Sequence, residues 1–352
     1  MPAHYFPSLK FNDLISSCSI RNQIRLLATS LRLKAATLSS AYPIPAEWLL
    51  HIPAVAQLLE DSLENLSCYL QDFSVLERFH NLRELQLLCS ERREIEDGVA
   101  FSWDLGPQQA ASLSQLQNLT KLSVVGFTTV ELNTVDIAHL KELTINFQTT
   151  RGTLETQNRC TFSLPKDCLL DKVTILGPED QETDPEEEGA FSITTNIDLD
   201  DVVNKCKFIH ISGASIVLGI NSFIDLDHLT AAATCIVTAT RWIELRIELI
   251  KYLEDLDNID PDLCVYHGDQ GTEQIFIKGG LVEAINTAAH AQRKNISCEI
   301  IEEFVPLGFD STMDLSGSDS EDNICSGKEL RREGSVVISG MMSITLLVQR
   351  KW

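Results

Sequence analysis

Residues that could do chemistry are few in this chain, and they do not converge. Asp255, Asp257, Asp260 and Asp262 cluster and could offer oxygens to a calcium ion, but the glycine that an EF-hand loop needs at its sixth position is missing. The cluster reads as a solvated loop capping a helix. His210 and His267 each fall in an expected strand, where a histidine can face a partner but lacks companion metal ligands. There is no Gly-x-Gly-x-x-Gly, no Walker loop and no Gly-x-Ser-x-Gly. The expectation is a protein that is not an enzyme, with no cofactor and no metal.

Modifiable groups say more about context. Ser316, Ser318 and Ser320 sit among acids, the setting that acid-directed kinases favour; an unmodified solvated tail is the alternative. Asn65-Leu-Ser, Asn118-Leu-Thr and Asn295-Ile-Ser match the glycosylation pattern but fall in strand motifs, so they read as chance. The ten cysteines are scattered, form no Cys-x-x-Cys pair, and several lie inside apolar strand patterns. A reducing compartment, cytoplasmic or nuclear, without disulfides or structural zinc, is expected. The first residues lack the charged and apolar regions of a signal peptide. The run from Ser335 to Val348 falls short of the roughly 20 apolar residues that span a bilayer, so a closing strand or strand pair is expected there.

The elements that position side chains are written in one recurring figure. Leu82-x-x-Leu85-x-Leu87 returns as Leu119-x-x-Leu122-x-Val124, Leu140-x-x-Leu143-x-Ile145 and Leu170-x-x-Val173-x-Ile175. Apolar residues two apart on a strand share a face. The figure is the strand half of a leucine-rich repeat. Its marks fall at Leu31, Leu66, Leu85, Leu122, Leu143, Val173 and Ile209, in steps of 35, 19, 37, 21, 30 and 36 residues. The fold class expected is α/β, an irregular leucine-rich-repeat solenoid with a curved parallel sheet and helices on its convex side.

In chain order, residues 1–25 form an N-terminal segment in which Leu14-Ile15 and Ile20 to Leu27 suggest a helix. The repeat domain is expected over 26–305. It has helices at Ala46 to Leu59, Val75 to Phe79, Gln108 to Leu116, Leu226 to Val237, Trp242 to Leu256 and Leu281 to Gln292. Ile243, Leu245, Ile247 and Leu249 also alternate, which keeps a strand open as the alternative after Trp242. Later strands are expected at Leu263-x-Val265, Ile275 to Ile277 and Ile296-x-Cys298-x-Ile300. Ser90 to Gly98 and Gln148 to Arg159 read as polar insertions. Glu179 to Glu188 carries seven acids in ten residues, so 178–190 is expected to be an acidic disordered loop. Residues 306–334 are expected to be an acidic disordered segment and 335–352 to hold the C-terminal strand or strands.

Asp61-Ser-Leu-Glu-Asn-Leu-Ser-Cys-Tyr-Leu70, Phe73 to Phe79 and Asn81-Leu-Arg-Glu-Leu-Gln-Leu together resemble the repeat region of fungal F-box-type leucine-rich-repeat proteins. Asp262-Leu-Cys-Val-Tyr-His267, the helix from Leu281 and Ile296-Ser-Cys-Glu-Ile300 look like their terminal repeat. The resemblance covers roughly 25–305; residues 1–50 hold no match to the Leu-Pro-x-Glu start of an F-box. It implies a substrate receptor that joins a target to a ubiquitin ligase through the ligase's adaptor.

The residues themselves point to protein recognition. Stacked strands leave a row of outward side chains on the concave sheet: Tyr69, Glu84, Gln86, Lys121, Ser123, Glu142, Thr144, Asn146, Lys172, Thr174, Phe208 and His210. A formal net charge of −23 repels phosphate backbones and anionic lipid. The expected partners are proteins, with basic surfaces attracted, and neither nucleic acid nor membrane. The function expected is a non-enzymatic interaction module, as a divergent F-box-type receptor or, alternatively, a stand-alone scaffold or regulatory binder.

Overall fold

The computed structural model describes residues 9–10, 35–38, 60, 63–68, 73–89, 104–137, 139–147, 159–165, 168–177, 194–213, 216–219, 228–253, 273–274, 280–306 and 340–351. The helices expected at 14–27 and 46–59 and the strand at Leu31 to Leu33 lie outside these residues. So do the insertion 90–98, most of the insertion from Gln148, the acidic loop 178–190 and the strands at Leu263 to Val265 and Ile275 to Ile277. The aspartate cluster, His267 and the segment 307–334 with Ser316, Ser318 and Ser320 lie outside them as well.

The recurring leucine figure builds a large, mostly parallel sheet. Its strands include β1 (Leu9–Lys10), β2 (Ala35–Leu38), β3 (Asn65–Cys68), β4 (Glu84–Leu88), β6 (Lys121–Val125), β8 (Glu142–Asn146), β10 (Leu170–Leu176), β12 (Cys206–Gly213) and β14 (Glu244–Leu253). These nine are parallel neighbours in that order. The register places Leu66, Leu85, Leu122, Leu143, Val173, Ile209 and Leu245 side by side. Two residues on, Cys68, Leu87, Val124, Ile145, Ile175, Ile211 and Ile247 form a second ladder. Every member of both ladders is buried. Each aliphatic side chain so buried is worth about 1.5–3 kcal/mol.

A second sheet returns the chain between these strands. It contains β5 (Asp104–Leu105), β7 (Thr129–Glu131), β9 (Arg159–Ser163), β11 (Thr194–Asp198), β13 (Ile216–Gly219) and β15 (Glu273–Gln274). The pairs from β5 to β13 are parallel, and β15 closes the edge antiparallel. From β4 to β14 the chain therefore alternates between the two sheets. Leu105, Val130, Cys160, Ile197 and Ile216 share one core with the leucine ladders. This corrects the expectation of helices on the far side: much of that side is strand. The helices that are described are short: a 3-10 turn at Phe73–Arg78, α1 (Pro107–Leu113), α2 (Leu199–Lys205), α3 (His228–Thr238) and α4 (Val282–Ala291). α2 starts on Asp198, whose carboxylate accepts from the Asp201 N–H at 3.3 Å.

The segment after Trp242 is strand β14, not the helix expected to Leu256. Two strands claim it. β12 pairs along its parallel edge, and β17 (Gly340–Arg350) pairs antiparallel along the other through ten residues, Glu244 to Leu253. A sheet flanked on both sides overrides the four-residue leucine spacing. β16 (Ile296–Pro306) then pairs antiparallel with β17 as the outermost strand. The all-parallel sheet that was expected thus ends in an antiparallel pair, with β17 inserted between β14 and β16. Arg350 fixes its end: the guanidinium lies 4.8 Å above the Trp242 ring and donates to the Ala239 carbonyl, while the indole N–H donates to the Ile236 carbonyl at 2.7 Å. Burial lowers the Arg350 pKa.

Where β10 and β12 end, Gly177 is crowded by strands of both sheets. A Cβ on Gly177 would lie 2.7 Å from Thr195 Oγ1 and 3.2 Å from both the Gly213 Cα and the Ser212 carbonyl oxygen. Gly177 N–H donates to that same carbonyl. Gly177→Ala is expected to lower the unfolding free energy by about 1–3 kcal/mol, the usual cost of overpacking. The measurement is the urea midpoint; an unchanged midpoint would show that the backbone yields freely here.

Candidate protein-binding face

The residues between the buried ladders point to the opposite side of the main sheet. Cross-strand register assembles them into rows. The first row is Asn65, Glu84, Lys121, Glu142, Lys172, Phe208, Glu244 and Gln349; the second is Ser67, Gln86, Ser123, Thr144, Thr174, His210, Arg246 and Leu347. Eleven of the twelve face residues expected from sequence fall on this side, Asn146 in a third row with Leu88, Val125, Leu176 and Ser212. Tyr69 lies outside the described residues.

Charges on the face alternate from strand to strand. Lys121 Nζ sits 3.8 Å from Glu84 and 3.4 Å from Glu142. One position earlier along the strands, the signs are reversed: Lys141 and Lys207 flank Asp171, and Lys207 Nζ donates to Asp171 Oδ1 at 2.6 Å. Parallel pairing at about 4.8 Å makes neighbours of these groups, so alternating signs favour the observed register and a slipped one would bring like charges together. These groups are half-exposed and each pair contributes at most about 1 kcal/mol. The hydrogen bond from Lys207, reinforced by the positive charges of Lys207, Lys141 and Arg241, holds the Asp171 carboxyl below its ordinary value.

Polar contacts continue across the sheet. Ser67 Oγ donates to Gln86 Oε1 at 2.7 Å. An open depression of about 290 Å³ spans this region from β3 to β8, lined by Ser67, Gln86, Lys121, Ser123 and Thr144 among others. On the far side His210 Nε2 and Glu248 Oε2 lie 3.2 Å apart, with Arg246 3.8 Å from the same oxygen. Gln349 Nε2 donates to Glu244 Oε2 at 3.0 Å. Toward the other end of the later strands Ser212, Ser343 and Thr345 are buried, while Leu88, Val125, Asn146 and Leu176 of the third row are half-buried. Glu244, Arg246, Glu248 and Gln349 were not among the residues expected from sequence. The alternation of Ile243, Leu245, Ile247 and Leu249 is the signal that would have found the first three.

The described titratable groups of the face are spread over the sheet, and those that line the depression, Glu84, Lys121 and Glu142, are engaged with one another. The described thiols other than the half-buried Cys298 are withdrawn from solvent: burial pushes Cys160 up to about 12, and burial with the nearby Asp200 carboxylate pushes Cys235 up to about 12. Among the described residues no group of three or more His, Cys, Asp or Glu could hold a metal ion. No helix among them is long and apolar enough to cross a membrane. Compared with protein-family models, curated proteins and solved structures, the chain matches none of them.

Two outcomes follow from these environments. Because its folded pKa is depressed, Asp171 supports the fold above its ordinary value of 3.8, and that support is lost as pH falls through the lower folded value. Acid titration of stability should therefore be shallower below pH 3.8 in Asp171→Asn; identical curves would dismiss the pairing. Cys160 and Cys235 should resist an aromatic disulfide reagent at pH 8 in the native protein and react on denaturation, as mass mapping of the labelled thiols will show.

Proposed function

We propose that the chain is a leucine-rich-repeat solenoid that binds another protein through the open, concave face of its main sheet. The observation that carries this is the pair of ordered rows, polar and charged with Phe208 among them, held on rigid strands rather than loops. The recurrence of the leucine figure in register across β3 to β14 supports the repeat reading, although the return strands make this an unusual member of that class. A face of mixed sign on a chain of net charge −23 suits a protein with a basic surface better than a nucleic acid. The resemblance of the repeat region to F-box-type proteins supports a substrate receptor of a ubiquitin ligase as the specific form of this function.

Affinity purification of the full chain from its native cytosol, followed by mass spectrometry, separates the versions. Recovery of a ligase adaptor and cullin supports the receptor. One stoichiometric partner without them makes the protein a stand-alone binding module. Thr144→Arg with Thr174→Arg puts two long cations in the middle of the second row without touching the core. The double variant should lose the recovered partner at unchanged thermal stability. Undiminished recovery would move the binding site off this face.

A further inference from the structure

Along the first row the charge pattern is interrupted at one place. Lys121 is shared between Glu84 and Glu142. Lys172 comes next and is exposed, with no ion pair among the described residues. Its neighbour on β12 is Phe208, 43% exposed in the middle of the sheet, and the next on β14 is Glu244. Single exposed apolar residues are ordinary on protein surfaces. This one stands between a cation without a partner and a carboxylate on a strand paired on both sides, the setting of an interface anchor.

We propose that Lys172, Phe208 and Glu244 are the anchor of the binding face, and that the partner element they take is an α-helix presenting an acidic, an apolar and a basic side chain on successive turns. This rests on the reading of the face as a protein-binding surface. The spacing selects the helix. Neighbouring strands are about 4.8 Å apart, so Lys172 to Glu244 spans roughly 9.6 Å with Phe208 at the midpoint. A helix lying across the strands advances about 5.4 Å per turn and puts residues i, i+4 and i+7 on one side at nearly that spacing. An extended segment covers the distance in about three residues, but its side chains alternate, and it cannot set an apolar group midway on the same side. Charge fixes the order: the acid over Lys172, the apolar group on Phe208, the base over Glu244. The Glu244 carboxylate already accepts from Gln349, which holds it in place for a cation.

The test is a displayed library of alanine-based helices, randomised at i, i+4 and i+7, panned against the full folded chain. Wild type should enrich acid–apolar–base sequences. Lys172→Glu should change the enriched acid to a base, and Phe208→Ala should weaken the selected helices roughly tenfold or more. Both substituted side chains are exposed, and matching melting curves will show that the variants fold. Selection of the same sequences by wild type and Lys172→Glu, or no enrichment over a blank support, would overturn the proposal. Helices whose binding survives both substitutions but is lost in the Thr144→Arg, Thr174→Arg variant would overturn the anchor while leaving the face as the binding surface.

Discussion

The structure depends on parallel strands stacking in exact register on their leucines. Leu85, Leu122, Leu143, Val173, Ile209 and Leu245 are consecutive neighbours across six strands, and a shift of one residue in any of them would turn its apolar set to solvent. Parallel pairing carries a second requirement. Each strand must be entered from the same end, so the chain has to travel back behind the sheet every time. That return path must cover the apolar side of the ladders. Here the chain covers it by laying down strands that pair with one another, so the cover is itself a sheet.

The same register organises the polar side. Because strands are neighbours at fixed offsets, whatever occupies the position before each buried aliphatic becomes a row. Lys121 between two glutamates in such a row, and Asp171 between two lysines one position earlier along the strands, show that neighbours are matched in sign. Such exposed pairs add little to stability, but they disfavour the slipped alternatives. They also leave most of the face electrically quiet at short range. The interruption at Phe208 is consequential because an apolar side chain stands exposed there, between Lys172, which has no ion pair among the described residues, and Glu244.

At its later end the sheet changes character. β17 enters between β14 and β16 and reverses the pairing direction. β14 and β16 are both antiparallel to β17 and so share a direction; between them the chain passes through β15, the last strand described in the second sheet, and α4. α4 covers the core at this end, with Ile285 and Ala289 buried and Ile296 and Cys298 packed at its margin. Arg350 stacked over Trp242 ties the last strand to the turn that precedes β14, joining residues more than a hundred positions apart.

What the chain determined by itself is the ladder strands β3, β4, β6, β8, β10 and β12 and the side their residues face. Leucines at x-x-Leu-x-Leu spacing declare both, because period two is a local property, and Glu84, Lys121, Lys172 and Phe208 were placed on the open face from that spacing alone. β2, beside β3, lies at Ala35–Leu38, with Ala36 opposite Leu66 where Leu31 was expected. The return strands were not legible. Thr129–Glu131 and Thr194–Asp198 are short and mixed in composition, and each is a strand only because its neighbours in the second sheet supply hydrogen bonds. The stretch after Trp242 carried two periods at once, leucines four apart and aliphatics two apart. Tertiary structure chose the strand, because pairing on both edges satisfies backbone groups and buries Leu245 and Ile247 beside Ile209 and Ile211, which a helix there would not do. The place of β17 between β14 and β16 was likewise decided only in three dimensions, since no local pattern records which edge a distant strand will meet.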